Sequence, residues 1–150
     1  MITLKPFTDE KLKAKYLAIC KKHGWIEQTC TTIDEPPYIS IYYRIYKDDT
    51  PIGYITIQKR FVDYCICFFY IKEEYRNKGY GTEALEQCLR ICWNEEGCRT
   101  CYLFVNPQDR RTMHLYQKYG YIFDNRSETE REVTFFLKSK PKLIDILKAR

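Results

Sequence analysis

The stretch from Tyr64 to Thr82, YCICFFYIKEEYRNKGYGT, decides the fold. Its first half, YCICFFYI at 64 to 71, is almost wholly apolar and rich in aromatics, the pattern of a central strand covered on both faces. The second half turns polar and brings Gly79 and Gly81, spaced by one residue, to the start of a new pattern. From Thr82 the period is helical. Leu85, Cys88, Leu89, Cys92 and Trp93 recur at i, i+3, i+4, i+7 and i+8, one stripe of a helix that Gly97 is expected to end. Glycines let a backbone approach a ligand closely, and the first free amides of a helix attract phosphate oxygens, so the turn at 73 to 82 reads as an anion site. The common nucleotide motifs fit poorly. G-x-x-x-x-G-K-[ST] is absent, and Gly79-Tyr80-Gly81 lacks the third glycine of a dinucleotide fingerprint.

Upstream of this stretch, Ile39, Ile41, Tyr43 and Ile45 alternate, DDTP makes a turn, and Ile52, Tyr54 and Thr56 begin a second alternating run, so a hairpin is expected. Earlier still, Thr8 precedes DEKLKAKYLAICKKHG, with acidic residues first, Leu12, Tyr16 and Ile19 apolar, lysines late and Gly24 after the pattern. That is a helix with both ends marked. Residues 25 to 37, WIEQTCTTIDEPP, have no period and read as a loop. Downstream, CYLFV at 101 to 105 is a short strand, and Asn106-Pro107 with Asp109 opens a helix running to Tyr119 and closed by Gly120. YIFD at 121 to 124 and VTFFL at 133 to 137 supply two more strands. The predicted order is one strand, a helix, three strands, a helix, a strand, a helix and two strands. This is one α/β (α+β) domain over 1 to 140, followed at 141 to 150 by a tail that is a short helix or loose.

A chain of 150 residues is long enough for one compact core, and its 16% aromatic content argues against disorder. The polar start MITLKPFTDEKLK and the lack of any apolar run near 20 residues lead us to expect a cytoplasmic protein, away from the membrane, whose eight cysteines stay reduced. The net charge of +5 comes from the ends. Residues 1 to 24 hold six lysines against Asp9 and Glu10, residues 138 to 150 hold five basic groups against Asp145, and the body between them is slightly acidic. That distribution argues against a nucleic-acid partner and suits a cationic substrate. Cys65-x-Cys67, Cys88 with Cys92, and Cys98-x-x-Cys101 have spacings that metal sites use, yet buried cysteines behave as small hydrophobes, and no metal is expected. A cysteine nucleophile is disfavoured because only His23 and His114 are available to assist, neither with a suggestive neighbour.

Two motifs carry a resemblance. R-x-x-G-x-G, Arg76 to Gly81, behind a hydrophobic strand and Tyr75, resembles the acetyl-coenzyme A (acetyl-CoA) signature of the GNAT superfamily of N-acetyltransferases. Asn106-Pro107 followed by LYQKYGY at 115 to 121 is similar to that family's N…LYxKxGF pattern, with Tyr121 where phenylalanine is commoner. The resemblance spans roughly residues 38 to 137. It implies a mixed, mostly antiparallel twisted sheet with helices on both faces. It also implies that the pantetheine arm of acetyl-CoA pairs with Phe69, Tyr70 and Ile71, where the central strand splays from its neighbour at a bulge. The pyrophosphate would then rest on amides of Arg76, Asn77, Lys78, Gly79, Tyr80, Gly81 and Thr82. Asn106 would touch the pantetheine arm, cap its helix, or do both.

The same resemblance makes Tyr116 the acid that protonates the departing thiolate, although Met113, Tyr116 and Tyr119 also fit a core stripe at helical spacing. The implied reaction is direct attack of a neutral primary amine on the acetyl carbonyl in a ternary complex, with a backbone amide of the splayed strand stabilising the oxyanion. Glu35, Asp63, Glu73 and Glu74 are candidates for the base, without a ranking. The acceptor side falls on residues 24 to 37, with Trp25, Glu27, Asp34, Glu35 and Tyr38, and on the 124 to 132 turn. The expected partner is a small-molecule or peptide amine, and a homodimer is compatible with this reading. The alternatives are a non-catalytic acyl-CoA-binding sensor of the same fold and a nucleic-acid-binding domain that uses its basic ends.

Overall fold

The structure is a computed structural model and describes residues 1–24, 38–95, 97–105, 110–118, 121–124 and 134–139. Alternating apolar residues build β1 (Ile2–Phe7), β2 (Tyr38–Lys47), β3 (Thr50–Arg60) and β4 (Asp63–Ile71), which form an antiparallel meander except that α1 (Glu10–Lys22) intervenes after β1. A 3-10 turn (Glu73–Tyr75) leads to α2 (Tyr80–Trp93), then β5 (Thr100–Val105), α3 (Arg110–Lys118), β6 (Ile122–Asp124) and β7 (Thr134–Ser139). The strands form a single sheet in the order β1-β2-β3-β4-β5-β7-β6. Among the described residues the one parallel pairing joins β4 to β5, so the sheet is mixed and mostly antiparallel, as the family resemblance implied. The 64 to 71 run occupies the middle strand of the seven, buried from Tyr64 to Phe68.

The two faces of the sheet carry separate cores. On one, Leu85, Cys88, Leu89 and Cys92 of α2 and Tyr116 of α3 pack on Ile45, Ile52, Ile55, Ile57 and Leu103. Each fully buried leucine or isoleucine there contributes about 1.5–3 kcal/mol relative to an exposed side chain. On the other, Tyr16 and Cys20 of α1 pack on Tyr42, Tyr54, Cys65, Cys67, Phe68 and Tyr102. Helices therefore cover both faces.

Local signals set the helix limits, with two departures from the sequence reading. Asp9, not Thr8, caps α1, its carboxylate accepting from Leu12 N at 2.8 Å. The α2 helix stops at Trp93 rather than near Gly97, with the Asn94 N–H closing on Arg90 O. There the chain has to turn into β5, and the Glu95 carboxylate is held by Lys59 Nζ and Tyr64 Oη, both at 2.6 Å. The α3 caps expected from Asn106, Pro107, Asp109 and Gly120 lie outside the described residues. Among the described residues no helix is long and apolar enough to cross a membrane.

Candidate active site

Strand β4 is zipped to its neighbour at one end and open at the other. Asp63, Tyr64 and Cys65 pair with Thr100, Cys101 and Tyr102, and beyond that point β5 pairs with β7 alone, through Leu103 to Val105. Val62 O, just ahead of β4, accepts from both Arg99 N and Thr100 N and closes the zipped end. Past Cys65 the two parallel strands separate. On its other edge, β4 slips against β3: Tyr54 pairs with Tyr70 but Thr56 with Cys67, so two β3 steps match three on β4. This is a β-bulge, and Phe68 inside it takes a left-handed φ of 55°, which for an aromatic residue costs about 1–3 kcal/mol. Burial of the Phe68 ring, worth about 1.5–3 kcal/mol, is large enough to offset that strain.

The glycine turn follows. Asn77 and Gly79 both have positive φ, 63° and 85°, and Gly79 stands as the N-cap of α2 with no side-chain cap. The first intrahelical bond is Glu83 N to Gly79 O. The N–H groups of Tyr80, Gly81 and Thr82 therefore lack helical partners and are offered to a ligand, with the positive end of the helix dipole behind them. Arg76 is tied down at the mouth, its Nε donating to Ile71 O at 2.7 Å and its guanidinium 5.5 Å from the Tyr70 ring centre.

These parts enclose a cleft of about 560 Å³. One wall is Phe69 and Ile71 of β4, the base is Arg76, Asn77, Gly79, Gly81 and Thr82, and the opposite wall is Arg111, His114, Leu115 and Lys118 of α3. Gly81 faces the strand wall, where a Cβ on it would make ordinary contact with the Phe69 ring at 3.6 Å. The charged lining is all cationic, which together with the free amides suits a phosphate-bearing ligand. The residues therefore fit the diphosphate and extended arm of a coenzyme A thioester: amides and cations for the first, an opened strand edge for the second.

The structure thus gathers Phe69, Ile71, Arg76, Asn77, Gly79, Gly81 and Thr82 of the expected set around one cleft. Tyr70 lies against the α1-side core and under Arg76. Lys78 is exposed, and Tyr80 is half-buried with Lys47 Nζ 5.2 Å from its ring centre; neither lines the cleft. Asn106 lies outside the described residues, as do the acceptor-side segments 25–37 and 125–132. Tyr116 is buried, its ring centre 5.8 Å from that of Tyr121, and does not line the cleft; its neighbour Leu115 does. Of the base candidates, Asp63 accepts from the Thr100 hydroxyl at the zipped end, away from the cleft, and Glu73 and Glu74 are exposed in the 3-10 turn.

Sequence reasoning missed the α3 wall. Arg111, His114, Leu115 and Lys118 stand at i, i+3, i+4 and i+7, so helical spacing puts them on one face, but nothing in that spacing says that this face meets the glycine turn. The cysteines pack as apolar residues. Among the described residues seven cysteines are buried with no disulfide, and Cys88, Cys92, Cys98 and Cys101 share the α2-side core. Burial pushes the Cys20 thiol up to about 12. A hydrogen bond from Cys101 lowers that of Cys92, but its bond to Cys88 and burial outweigh this and leave it far above the usual thiol range. Such thiols are poor nucleophiles. Among the described residues no group of His, Cys, Asp or Glu is arranged to hold a metal ion.

Comparison with known proteins agrees with this geometry. The model of the acetyltransferase (GNAT) family matches residues 4–121. Among solved structures, the ribosomal-protein-S18-alanine N-acetyltransferase of Escherichia coli is 18% identical, with 95% of this chain and 96% of that one covered and a TM-score of 0.70. An aminoglycoside acetyltransferase solved with coenzyme A and kanamycin is 16% identical, with coverage of 93% and 95% and a TM-score of 0.72. A GNAT acetyltransferase of Elizabethkingia anophelis solved with acetyl-CoA is 16% identical, with coverage of 92% and 97% and a TM-score of 0.63. No protein of curated function matches the sequence.

Proposed function

The chain belongs to the acetyltransferase (GNAT) family, and on that premise we propose that it is an N-acetyltransferase that moves acetyl from acetyl-CoA to a primary amine by direct attack. The observation that carries this reading is the cleft itself, in which a strand edge opened by a bulge meets a glycine turn with uncapped helix amides and a cationic wall. Acetyl-CoA supplies an acyl group activated as a thioester. The amides of Tyr80, Gly81 and Thr82, with Arg111 and Lys118, hold its phosphates, and the Phe69 to Ile71 edge orients the arm.

In the transfer a neutral amine nitrogen forms the new C–N bond and releases one proton to water, from which Tyr116 is afterwards reprotonated, while the C–S bond breaks. A backbone N–H of the opened strand bears the charge that develops on the carbonyl oxygen. Tyr116 gives its proton to the leaving sulfur; this assignment is supported by its match to the family tyrosine and by its place on α3 next to Leu115 in the cleft wall. A second reading, in which Tyr116 is a core residue, is favoured by its burial against Tyr121. The relatives' names specify a protein alanine in one case and kanamycin in another, and the shared chemistry is an amine, so the acceptor is an amine on a small molecule or a peptide.

The test is thiol release from acetyl-CoA across a panel of small and peptidyl amines. Turnover with at least one amine is expected. Saturable acetyl-CoA binding with no turnover on any amine would make the protein a sensor. Tyr116→Phe is expected to lower kcat by about a hundredfold, the scale of general-acid catalysis, with acetyl-CoA affinity retained. A loss of melting temperature with kcat intact would return Tyr116 to the core.

A further inference from the structure

Tyr16 of α1 is fully buried, yet its hydroxyl is bonded to the backbone of β4. It donates to Phe68 O at 2.6 Å and lies 2.8 Å from Thr56 Oγ1. A phenol carries one hydrogen, and Phe68 O can only accept it, so Thr56 is the donor in the second bond. The ring is held just as firmly: stacked on Tyr54 at 4.6 Å and 12°, and edge-on to Tyr42 at 6.0 Å. Desolvation raises the Tyr16 pKa well above the ordinary phenol value, so the hydroxyl remains a donor throughout the working pH range.

The carbonyl it holds belongs to the bulged residue with positive φ. In a planar trans peptide the C=O and the following N–H point in opposite directions. Fixing Phe68 O toward α1 therefore turns the Phe69 N–H away from α1, to the side of the sheet where the Phe69 ring lines the cleft. We propose that Tyr16 is a positioning residue for acetyl transfer: through its hydrogen bond to Phe68 O it sets the direction of the Phe69 N–H that faces the acyl donor. The inference rests on the transferase reading above and adds to it a residue on the opposite face of the sheet, 52 positions away in sequence from the peptide it orients.

Tyr16→Phe keeps the ring and deletes the hydroxyl. The expected result is a fall in kcat of about tenfold, smaller than loss of an oxyanion donor outright, with KM for acetyl-CoA within about twofold. The Phe69 amide resonance of 15N-labelled protein should shift as well. Thr56→Val, which leaves Tyr16 without its donor, is expected to lower kcat about threefold and decides the matter if Tyr16→Phe does not fold. Tyr64→Phe, which removes a hydroxyl that donates to Glu95 at the zipped end of β4, serves as the control with kcat unchanged. A lowered melting temperature in Tyr16→Phe with kcat and the Phe69 resonance unmoved overturns the proposal. If the wild type turns over no amine, the transferase reading fails separately, and titration with acetyl-CoA decides. A Phe69 N–H response present in wild type and lost in Tyr16→Phe supports the positioning role, whereas equal responses, or none in wild type, refute it.

Discussion

The two ends of β4 are built from the same kind of sequence and do opposite things. At the zipped end, Asp63 to Cys65 pair with β5 on one side and β3 on the other, and Lys59, Tyr64 and Glu95 close the border with an ion pair and a hydrogen bond. At the open end, Tyr70 and Ile71 still pair with β3 while Phe68 and Phe69 lie in the bulge, the pairing with β5 has ended, and the strand is bent by a residue in a left-handed conformation. The first end is paired with a neighbouring strand on both edges. The second leaves an edge toward the cleft, and an exposed strand edge is a template for another extended chain. What separates the two is the partner strand leaving, for the apolar run continues unbroken.

Breaking the open end should have the largest effect. Gly53 of β3 lies so close to it that a Cβ would fall 2.1 Å from Tyr70 O, a backbone atom that cannot step aside without moving the strand. Gly53→Ala is expected to cost about 3 kcal/mol or more of unfolding free energy in denaturant melts, because overpacking against backbone has no rotamer escape. An unchanged midpoint would mean that the two strands part more freely than their register implies. Next in size, Arg111→Ala with Lys118→Ala removes two cations from the wall facing the glycine turn. Acetyl-CoA affinity by calorimetry should fall about tenfold in dilute salt and by less at 0.5 M, since the loss is electrostatic. A loss independent of salt would assign the wall a shape role.

The smallest effect is expected at the zipped end. Burial tends to raise the Glu95 pKa, but hydrogen bonds from Lys59 and Tyr64 and the lysine's charge outweigh it and hold the carboxyl below the usual glutamate range. A depressed carboxyl stabilises the fold above its unfolded pKa, and that contribution is lost as pH falls through the folded value. Glu95→Gln should therefore cost at most about 1 kcal/mol at pH 7, the pair being partly exposed, and the difference from wild type should vanish in acid. Cofactor affinity should be the same in both, which is the sharpest statement that the two ends are independent.

Much of this was legible locally. The apolar run, the R-x-x-G-x-G turn and the helical stripe from Leu85 each lie within a few residues of their own structural partners, so period and glycine spacing report them directly. The glycines of the cleft were found for the same reason, whereas the strand residues Phe69 and Ile71 came only from the family resemblance. The α3 wall was not, because nothing local says which side of a helix will meet a turn some 30 residues earlier. Tyr16 was read as part of an apolar stripe, correctly as far as burial goes, while its hydroxyl contact with Phe68 had no local signature.

By itself, then, the sequence determined the elements, the middle place of the 64 to 71 strand and the glycine turn that leads from it into the next helix. Each of these follows from side-chain period or from backbone freedom at neighbouring positions. The tertiary structure alone decided where β4 parts from β5, which peptide is rotated at the bulge, and which face of α3 closes the cleft. Those outcomes depend on contacts between segments 30 to 50 residues apart, whose geometry is set by how two cores pack on opposite faces of one sheet.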